Sequence, residues 1–401
     1  MRSLLVLLLT TAAWAQKFDL STGKGDLYTT ERGYGFEEGA KVIAGAGSTT
    51  AEKPPFYFST RVPEEGTWRV TVTLGDREQA TVTTVKAELR RLMLENVETR
   101  PGEFVKRTFL VNTRTPKFPG GEVRLKDREK TSEVWAWDDR LTLEFTNTHP
   151  AVSAIEIEKA DVPTLYIAGD STSTDQSQEP FNSWGQMLTR FFKPEIAVAN
   201  HGESGESLRG FVSEQRLAKL MSIIKPGDWL LIQMGHNDQK EKGEGVGAFT
   251  TYKDSLRQFI AHAREKGATP VLVTPMHRMT FDASGQITNS LGDYPEAVRQ
   301  TGAEEKVAVL DLNAMSKLFY EALGPKDAVR AFADRDPTHH NNYGSYELAR
   351  CLVQAIRESK LPLAKYLVDD VGAFDPAHPD PLAQFAIPAE PRGTVQKPYG
   401  N

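Results

Sequence analysis

The sequence predicts an α/β domain built on a doubly wound parallel sheet of five strands, preceded by a domain that folds as a β-sandwich. Three observations lead to this prediction. Residues 17–160 alternate apolar and polar side chains with a period of two. Residues beyond 162 form short apolar runs separated by helical stretches. Polar clusters follow several of these runs, at the edge where open α/β sheets bind their ligands.

The first domain is predicted from an alternation that is typical of half-buried antiparallel strands. Residues 68–74 read WRVTVTL, and residues 141–146 read LTLEFT. Turn-forming residues separate such runs, for example at 64–66 and 119–121. One stretch, around residues 85–95, has a helical pattern instead. Together these features favour a β-sandwich over residues 17–160.

The second domain, residues 162–360, is predicted from five apolar runs that suit buried parallel strands. The predicted strands are Leu165–Ala168, Ile196–Ala199, Trp229–Gln233, Pro270–Thr274 and Val307–Leu312. The predicted helices are Trp184–Phe192, Val212–Ile224, Thr251–Lys266, Ala314–Leu323 and Tyr343–Ser359. This succession predicts βαβ units and hence the doubly wound sheet. Prolines interrupt the remaining residues, 361–401, which we expect to form an extended tail.

The first fifteen residues are typical of a secretory signal peptide. Arg2 is followed by an apolar run over residues 4–13, and Ala15 ends a small-residue cleavage pattern. We therefore expect cleavage before Gln16 and export to the periplasm or the medium. The run is shorter than the roughly 20 residues of a membrane span, and no later segment comes closer. The single cysteine, Cys351, excludes an intrachain disulfide and is interpreted as a core residue.

The charge balance argues against nucleic acid as a partner. The chain carries 48 basic and 54 acidic residues, a net charge of −6. Nucleic-acid binding is driven largely by cationic side chains that neutralise phosphates. A polyanionic ligand would have to be held by a few local Arg or Lys side chains, because the overall field would repel it.

Four polar segments stand where the predicted sheet ends. They are residues 169–172 (GDST), 200–205 (NHGESG), 235–238 (GHND) and 336–340 (DPTHH). The first two directly follow predicted strands, the third follows one after Met234, and the fourth precedes the last predicted helix. Since the carboxyl ends of parallel strands share one edge, we expect these segments to meet there.

The spacing of Asp336 and His339 suits a carboxylate that accepts the imidazole Nδ1–H and leaves Nε2 free as a base. Ser171, after a small glycine turn, is the candidate nucleophile. For Ser171, the alternative is a serine that caps a helix. For Asp336 and His339, one alternative is a solvated loop that caps the last helix. The other is a zinc site formed by Asp334, Asp336, His339 and His340, which lacks the spacing of recognised zinc sites. Ser173 stands where the nucleophile elbow G-x-S-x-G requires glycine, so an α/β-hydrolase is disfavoured.

Taken together and in this order, these segments resemble the SGNH (GDSL-like) hydrolase family. The family is named for a Ser, a Gly, an Asn and a His, which match Ser171, Gly205, Asn237 and His339. The resemblance implies a flavodoxin-like sheet and a serine esterase with Asp336 orienting the base. The implied oxyanion hole consists of the Ser171 and Gly205 N–H groups and the Asn237 side-chain amide. This mechanism requires no metal and no organic cofactor.

More narrowly, residues 169–172, 232–239 and 336–339 look like the rhamnogalacturonan acetylesterase branch, carbohydrate esterase family 12. That branch removes acetyl groups from pectic backbones, so the implied partner is an acetylated polysaccharide or oligosaccharide. Members often carry Phe where this chain has Met234 and His340, and Ala where it has Ser345. These departures bear on substrate detail rather than on the reaction. The β domain resembles the galactose-binding-like modules attached to some relatives.

Several polar residues have competing interpretations. Arg278, after the fourth strand, and then Arg209 are the candidates for binding a charged sugar, and a surface salt bridge is the alternative for each. His236 is a candidate substrate contact or a residue that shapes its loop. Asp170 is interpreted as fixing the turn, and His340 is the rival base.

Two functions compete with the acetylesterase: another SGNH hydrolase acting on xylan, lipid or aryl esters, and a non-catalytic carbohydrate-binding protein.

Overall fold

A computed structural model shows a β-rich N-terminal part followed by an α/β part. It describes residues 14–387 and 389, apart from residues 23, 24, 40, 46 and 335. Residues 1–13 of the predicted signal peptide and residues 390–401 of the predicted tail therefore lie outside the described residues.

Thirteen strands of the described chain precede the α/β part. In chain order they are β1 (Ala15–Asp19), β2 (Tyr34–Phe36), β3 (Val42–Gly45), β4 (Ser48–Ala51), β5 (Phe56–Arg61), β6 (Gly66–Leu74), β7 (Thr81–Ala87), β8 (Arg91–Thr99), β9 (Val105–Thr113), β10 (Lys117–Phe118), β11 (Gly121–Glu122), β12 (Arg140–Thr146) and β13 (Val152–Lys159).

Eleven of these strands form two antiparallel sheets, and β10 and β11 pair with each other in a separate two-stranded sheet. The part of the chain from β1 to β13 is hereafter called the sandwich. One sheet has the order β3-β4-β13-β6-β9, with β1 also paired to β13, and the other has the order β2-β5-β12-β7-β8. Alternate residues of the strands share one buried core, among them Trp68, Val70 and Val72 of β6 and Leu143 and Phe145 of β12. The period-two pattern thus reflects one buried face on each sheet, and the predicted antiparallel β-rich region is confirmed.

The α/β part is built on a five-stranded parallel sheet. Its strands are β14 (Thr164–Gly169), β15 (Ala197–Asn200), β16 (Trp229–Gln233), β17 (Thr269–Val273) and β18 (Ala308–Leu310). Their spatial order is β15-β14-β16-β17-β18. This order places β14 beside both β15 and β16, with the chain reversing direction across the sheet at this point. The predicted flavodoxin-like doubly wound sheet is confirmed.

Helices cover both faces of this sheet. They are α1 (Trp184–Leu188), α2 (Leu208–Ser213), α3 (Arg216–Ile223), α4 (Lys253–Glu265), α5 (Tyr294–Glu305), α6 (Leu312–Asp327) and α7 (Asn342–Glu358). Strand β14 shows why two layers are needed: Leu165 and Ile167 pack into one core, and Tyr166 and Ala168 pack into another. A strand that is buried on both sides has a continuous apolar sequence, and this is the pattern that predicted β14.

Two sequence-based element predictions were wrong in detail, and one helix was missed. Residues 85–95 form a hairpin of β7 and β8, because Glu88 and Arg90 adopt left-handed conformations (φ 55° and 61°) that a helix does not allow. The predicted helix 212–224 is divided between α2 and α3 at Gln215, where φ is 67°. Helix α5 was not predicted.

The sandwich packs directly on the α/β part. Leu92 of β8 belongs to the same buried cluster as residues of α1 and α7. Beside it, the Arg90 guanidinium donates to the backbone oxygens of Gln176 and Phe181 at 3.1 and 3.0 Å. Arg114 of the sandwich donates to the backbone oxygen of Asn200 at the end of β15. The two parts therefore share both apolar core and buried polar contacts.

The described residues of the C-terminal tail lie against the α/β part. They include short 3₁₀ turns at Pro362–Tyr366 and Leu382–Gln384, and Leu363, Leu367 and Phe374 are buried in the core beneath α7. Among the helices that the structure describes, none combines the length and the apolar character that crossing a membrane demands.

Candidate active site

Ser171 lies directly beyond the carboxyl end of β14, the strand at which the sheet reverses direction. Its tight turn is closed by the N–H groups of Ser173 and Thr174, which both donate to the Asp170 oxygen at 3.0 Å. Gly169 leaves room for this turn, because a Cβ there would lie 1.9 Å from Ser173 Oγ. Ser171 is only 2% exposed.

His339 meets Ser171 from the loop before α7. His339 Nε2 lies 2.7 Å from Ser171 Oγ, and His339 Nδ1 lies 3.0 Å from Asp336 Oδ2. With the Nδ1 proton donated to the carboxylate, Nε2 is the acceptor for the serine hydroxyl. The structure thus brings together three side chains that are up to 168 residues apart in sequence.

The loop that carries Asp336 and His339 is fixed by its own backbone. The Ala333 N–H donates to the His339 oxygen at 2.9 Å, and the Asp336 N–H donates to the Ala333 oxygen at 2.7 Å. Helix α7 begins immediately afterwards, with Asn341 Oδ1 accepting the Gly344 N–H at 3.1 Å. His339 therefore lies between these backbone hydrogen bonds and the start of α7.

Asp336 remains ionised over a wide pH range. Burial favours the neutral acid, but the hydrogen bond and charge of His339 and the N–H groups of Thr338 and His339 outweigh it and lower the pKa of Asp336 to about 2. These N–H groups donate to Asp336 Oδ1 at 2.8 and 3.1 Å. An ionised Asp336 can both hold the imidazole and stabilise the imidazolium.

Candidate oxyanion donors lie on the loops after β14, β15 and β16. Gly205 has φ +83°, a conformation that favours glycine. Within the described chain, the backbone N–H groups of Ser171 and Gly205 have no hydrogen-bond partner. Asn237 is 9% exposed, and its Nδ2 donates to the Glu206 oxygen at 2.9 Å, which leaves a second amide hydrogen for another acceptor.

Asp170 and His236 form a second carboxylate–imidazole pair beside Ser171. Asp170 Oδ1 accepts the Thr172 N–H at 3.0 Å, so the carboxylate fixes the turn, while its Oδ2 lies 3.3 Å from His236 Nδ1. Burial lowers the pKa of His236 despite Asp170. In the described chain, His236 Nε2 is buried without a hydrogen-bond partner. Its role as a substrate contact stays a prediction.

The two candidate arginines differ in their surroundings. Arg278 donates to neutral groups, Thr338 Oγ1 at 3.2 Å and the His236 oxygen at 3.4 Å, and forms no ion pair with a carboxylate of the described residues. Arg209 is 57% exposed and forms an ion pair with Glu241 at 3.3 Å. Arg278 therefore offers a partly buried cation beside the site, whereas the charge of Arg209 is compensated at the surface.

Two other histidines near the site, His340 and His201, contact aromatic side chains. His340 Nε2 lies 2.7 Å from the Tyr320 hydroxyl, and burial lowers the pKa of His340 to about 3, so it is a poor rival to His339 as the base. His201 is enclosed between the rings of Trp137 and Tyr166. Among the described side chains, no group of three or more His, Cys, Asp or Glu is arranged to hold a metal ion.

One contact of the site was absent from the sequence analysis. Lys126, between β11 and β12 of the sandwich, donates to the backbone oxygen of Ser204, the residue before Gly205, at 2.6 Å. No local pattern marks this lysine, because its partner is 78 residues away in the other part of the chain.

This chain is similar to several known proteins. The model of the GDSL-like lipase/acylhydrolase family matches residues 167–345. The rhamnogalacturonan acetylesterase RhgT of Bacillus subtilis is 39% identical over 223 residues, which cover 52% of this chain and 95% of that protein. A rhamnogalacturonan acetylesterase of Emericella nidulans is 26% identical over 216 residues, which cover 48% and 84%. The crystal structure of Bacillus subtilis YxiM aligns with a TM-score of 0.49 and 25% identity over 87% of this chain and 99% of that one.

Proposed function

Because this chain belongs to the GDSL-like lipase/acylhydrolase family, we propose that it is a serine esterase that removes acetyl groups from rhamnogalacturonan. The observation that carries the proposal is the continuous path of Ser171 Oγ, His339 and Asp336, joined by contacts of 2.7 and 3.0 Å. A helix-capping serine or a solvated loop would not need a buried base and a buried carboxylate in line with the hydroxyl.

In the acylation step, Ser171 Oγ attacks the carbonyl carbon of the acetyl ester while His339 Nε2 takes the hydroxyl proton. Asp336 stabilises the imidazolium that forms. The oxyanion accepts hydrogen bonds from the Ser171 and Gly205 N–H groups and from Asn237 Nδ2. The intermediate collapses, the bond to the sugar oxygen breaks, and this oxygen takes the proton from His339.

In the deacylation step, a water molecule takes the place of the sugar alcohol. His339 Nε2 removes a proton from the water, and the resulting nucleophile attacks the acetyl carbon on Ser171. The same three donors hold the second oxyanion. Collapse releases acetate and returns the proton to Ser171 Oγ, so the cycle ends with the enzyme unchanged.

Two observations support rhamnogalacturonan as the substrate. RhgT is named for this activity, and 95% of its length is matched by this chain at 39% identity. Arg278 lies next to the Asp336–His339 loop through Thr338 Oγ1 and has no carboxylate partner among the described residues. A guanidinium without a carboxylate partner among the described residues can bind the carboxylate of a galacturonate residue. The overall negative charge of the protein would otherwise repel that carboxylate.

The test is acetate release from three substrates in parallel: acetylated rhamnogalacturonan, acetylated xylan and an aryl acetate. We expect the highest kcat/KM on rhamnogalacturonan, and no turnover of any of the three by Ser171→Ala. A preference for xylan or the aryl ester would contradict the proposed substrate. Turnover by folded Ser171→Ala would contradict the serine mechanism.

We also propose that the protein is exported after cleavage before Gln16, on the basis of the charged and apolar pattern of residues 1–15. Cleavage there would leave most of β1 intact as the N-terminal strand of the mature chain. N-terminal sequencing of protein recovered from the cell exterior or periplasm tests this: it should begin at Gln16, and recovery of the uncleaved chain from the cytoplasm alone would contradict it.

A further inference from the structure

The peptide unit between Ser204 and Gly205 is held from outside its own loop. Lys126 Nζ donates to the Ser204 oxygen at 2.6 Å and also contacts the Glu206 carboxylate. The lysine belongs to the sandwich, whereas the loop follows β15 of the α/β part. One ammonium group therefore contacts residues on both sides of Gly205.

Peptide geometry connects this contact to the candidate oxyanion hole. The Ser204 oxygen and the Gly205 N–H belong to one planar trans peptide, so they point in opposite directions. A donor that fixes the oxygen also fixes the direction of the N–H. A positive charge on the oxygen side polarises the same peptide and strengthens its N–H as a donor. Such a hold restricts the backbone at Gly205, where glycine permits conformations that other residues avoid.

The same segment positions the second candidate donor. The Glu206 backbone oxygen accepts Asn237 Nδ2 at 2.9 Å, so a displacement of residues 204–206 would displace Asn237 as well. The Glu206 side chain is 1% exposed and is held between Lys126 and Arg216, at 3.8 Å from the latter. The contacts of Lys126 thus reach two of the three oxyanion donors.

Lys126 is itself held in place. Its backbone N–H donates to Glu129 Oε2 at 2.8 Å, and Glu129 also accepts from Trp137 Nε1 at 2.8 Å and from Arg216 at 3.0 Å. Arg216 opens α3 of the α/β part, so this network joins the two parts of the chain. A fixed lysine can fix its acceptor, whereas a mobile surface lysine could not.

We propose that Lys126 is a positioning residue through which the sandwich aims the Gly205 N–H and holds the Asn237 amide for the oxyanion. The inference rests on the proposed esterase function. It gives the β-rich part a role in catalysis that is separate from any binding of polysaccharide by its surface.

The first test compares Lys126→Met with Arg124→Met on the aryl acetate. Arg124 is a matched control, because it lies in the same segment and donates to the Ser213 oxygen of the α/β part at 2.8 Å, away from residues 204–206. Complete loss of an oxyanion donor lowers kcat by about 10²–10³-fold, so we expect a misaimed donor to lower it by roughly 10–100-fold with little change in KM. Arg124→Met should keep the wild-type kcat. Equal kcat for the two folded variants would overturn the proposal.

A chemical rescue separates positioning from folding. Lys126→Cys should have a low kcat, and alkylation with 2-bromoethylamine should restore it by rebuilding an ammonium group at the length of lysine. Cys351 is fully buried and serves as an internal control, since the treated wild type should stay unmodified. Failure of complete alkylation to raise kcat in a protein with unchanged Tm would overturn the proposal. Retained turnover by Ser171→Ala would instead overturn the serine mechanism, and a wild type that hydrolyses none of the three esters would overturn the esterase function on which the proposal rests.

Discussion

His339 Nδ1 lies 3.0 Å from Asp336 Oδ2, in a loop that gives the same carboxylate two backbone N–H donors. Asp336 is 2% exposed, so few of these interactions are shared with water. The arrangement stabilises the ionised carboxylate. It therefore contributes to the free energy of unfolding wherever Asp336 is ionised, as well as to catalysis.

The pKa of Asp336 is about 2 in the folded protein, against an ordinary value of 3.8. Because the folded-state pKa is the lower one, the stabilising contribution is fully present well above pH 4 and is lost as the pH falls through about 2. We expect the difference in free energy of unfolding between wild type and Asp336→Asn to shrink by about 2 kcal/mol between pH 5 and pH 2. Urea unfolding at both pH values measures this. A difference that does not change with pH would contradict it.

Removal of the Asn237 amide should slow the chemistry more than it weakens binding. Asn237→Ala is expected to lower kcat by about 10²–10³-fold with KM close to wild type, because the donor acts on charge that forms only in the transition state. Steady-state kinetics on the aryl acetate give both values. An unchanged kcat would remove Asn237 from the proposed oxyanion hole.

Arg278→Ala should lose activity selectively on anionic substrates. The partly buried guanidinium has no carboxylate partner among the described residues, whereas Arg209 is exposed and paired with Glu241. We expect the ratio of kcat/KM on rhamnogalacturonan to kcat/KM on the aryl acetate to fall by about tenfold or more in Arg278→Ala. Arg209→Ala is the matched control and should leave this ratio near wild type. Equal losses on both substrates in Arg278→Ala would refute a charge-recognition role.

His339 and His340 are adjacent but should respond differently to substitution. His339→Ala is expected to lower kcat by at least about 10³-fold, since it removes the base. His340→Phe should keep kcat within about tenfold but lower the Tm, because the buried Tyr320 hydroxyl loses its hydrogen-bond partner at 2.7 Å. Kinetics and thermal unfolding of both variants test this. A loss of kcat in His340→Phe as large as that in His339→Ala would show that the base was misassigned.

The sequence was most informative where burial leaves a simple pattern. Strand Trp229–Gln233 was predicted with the bounds that the structure has, because it is buried on both faces and is followed by the polar segment 235–238. Helix α5 was missed because its buried residues, Pro295, Ala297, Val298, Thr301 and Gly302, include a single large aliphatic side chain. Residues 85–95 were misjudged because apolar spacing cannot register the left-handed conformations of Glu88 and Arg90.

The candidate site likewise contains residues that the sequence predicts and contacts that only the fold reveals. Ser171 and His339 were predicted because they stand beside predicted element ends that the topology of the sheet brings together, whereas the roles of Gly205 and Asn237 were implied by the resemblance to the SGNH hydrolase family. Lys126 was not predicted, because nothing in its local sequence encodes a partner 78 residues away. The Asp170–His236 pair likewise joins two separate strand ends, and only the fold shows that they meet.

The nucleophile is tested most directly by the position of a covalent adduct. After incubation with a fluorophosphonate ester and proteolysis, mass spectrometry should find one phosphonyl group per chain, on Ser171, accumulating in step with the loss of esterase activity. His339→Ala should be labelled far more slowly, because its serine lacks the base. An adduct on another residue, or loss of activity without an adduct on Ser171, would contradict the account.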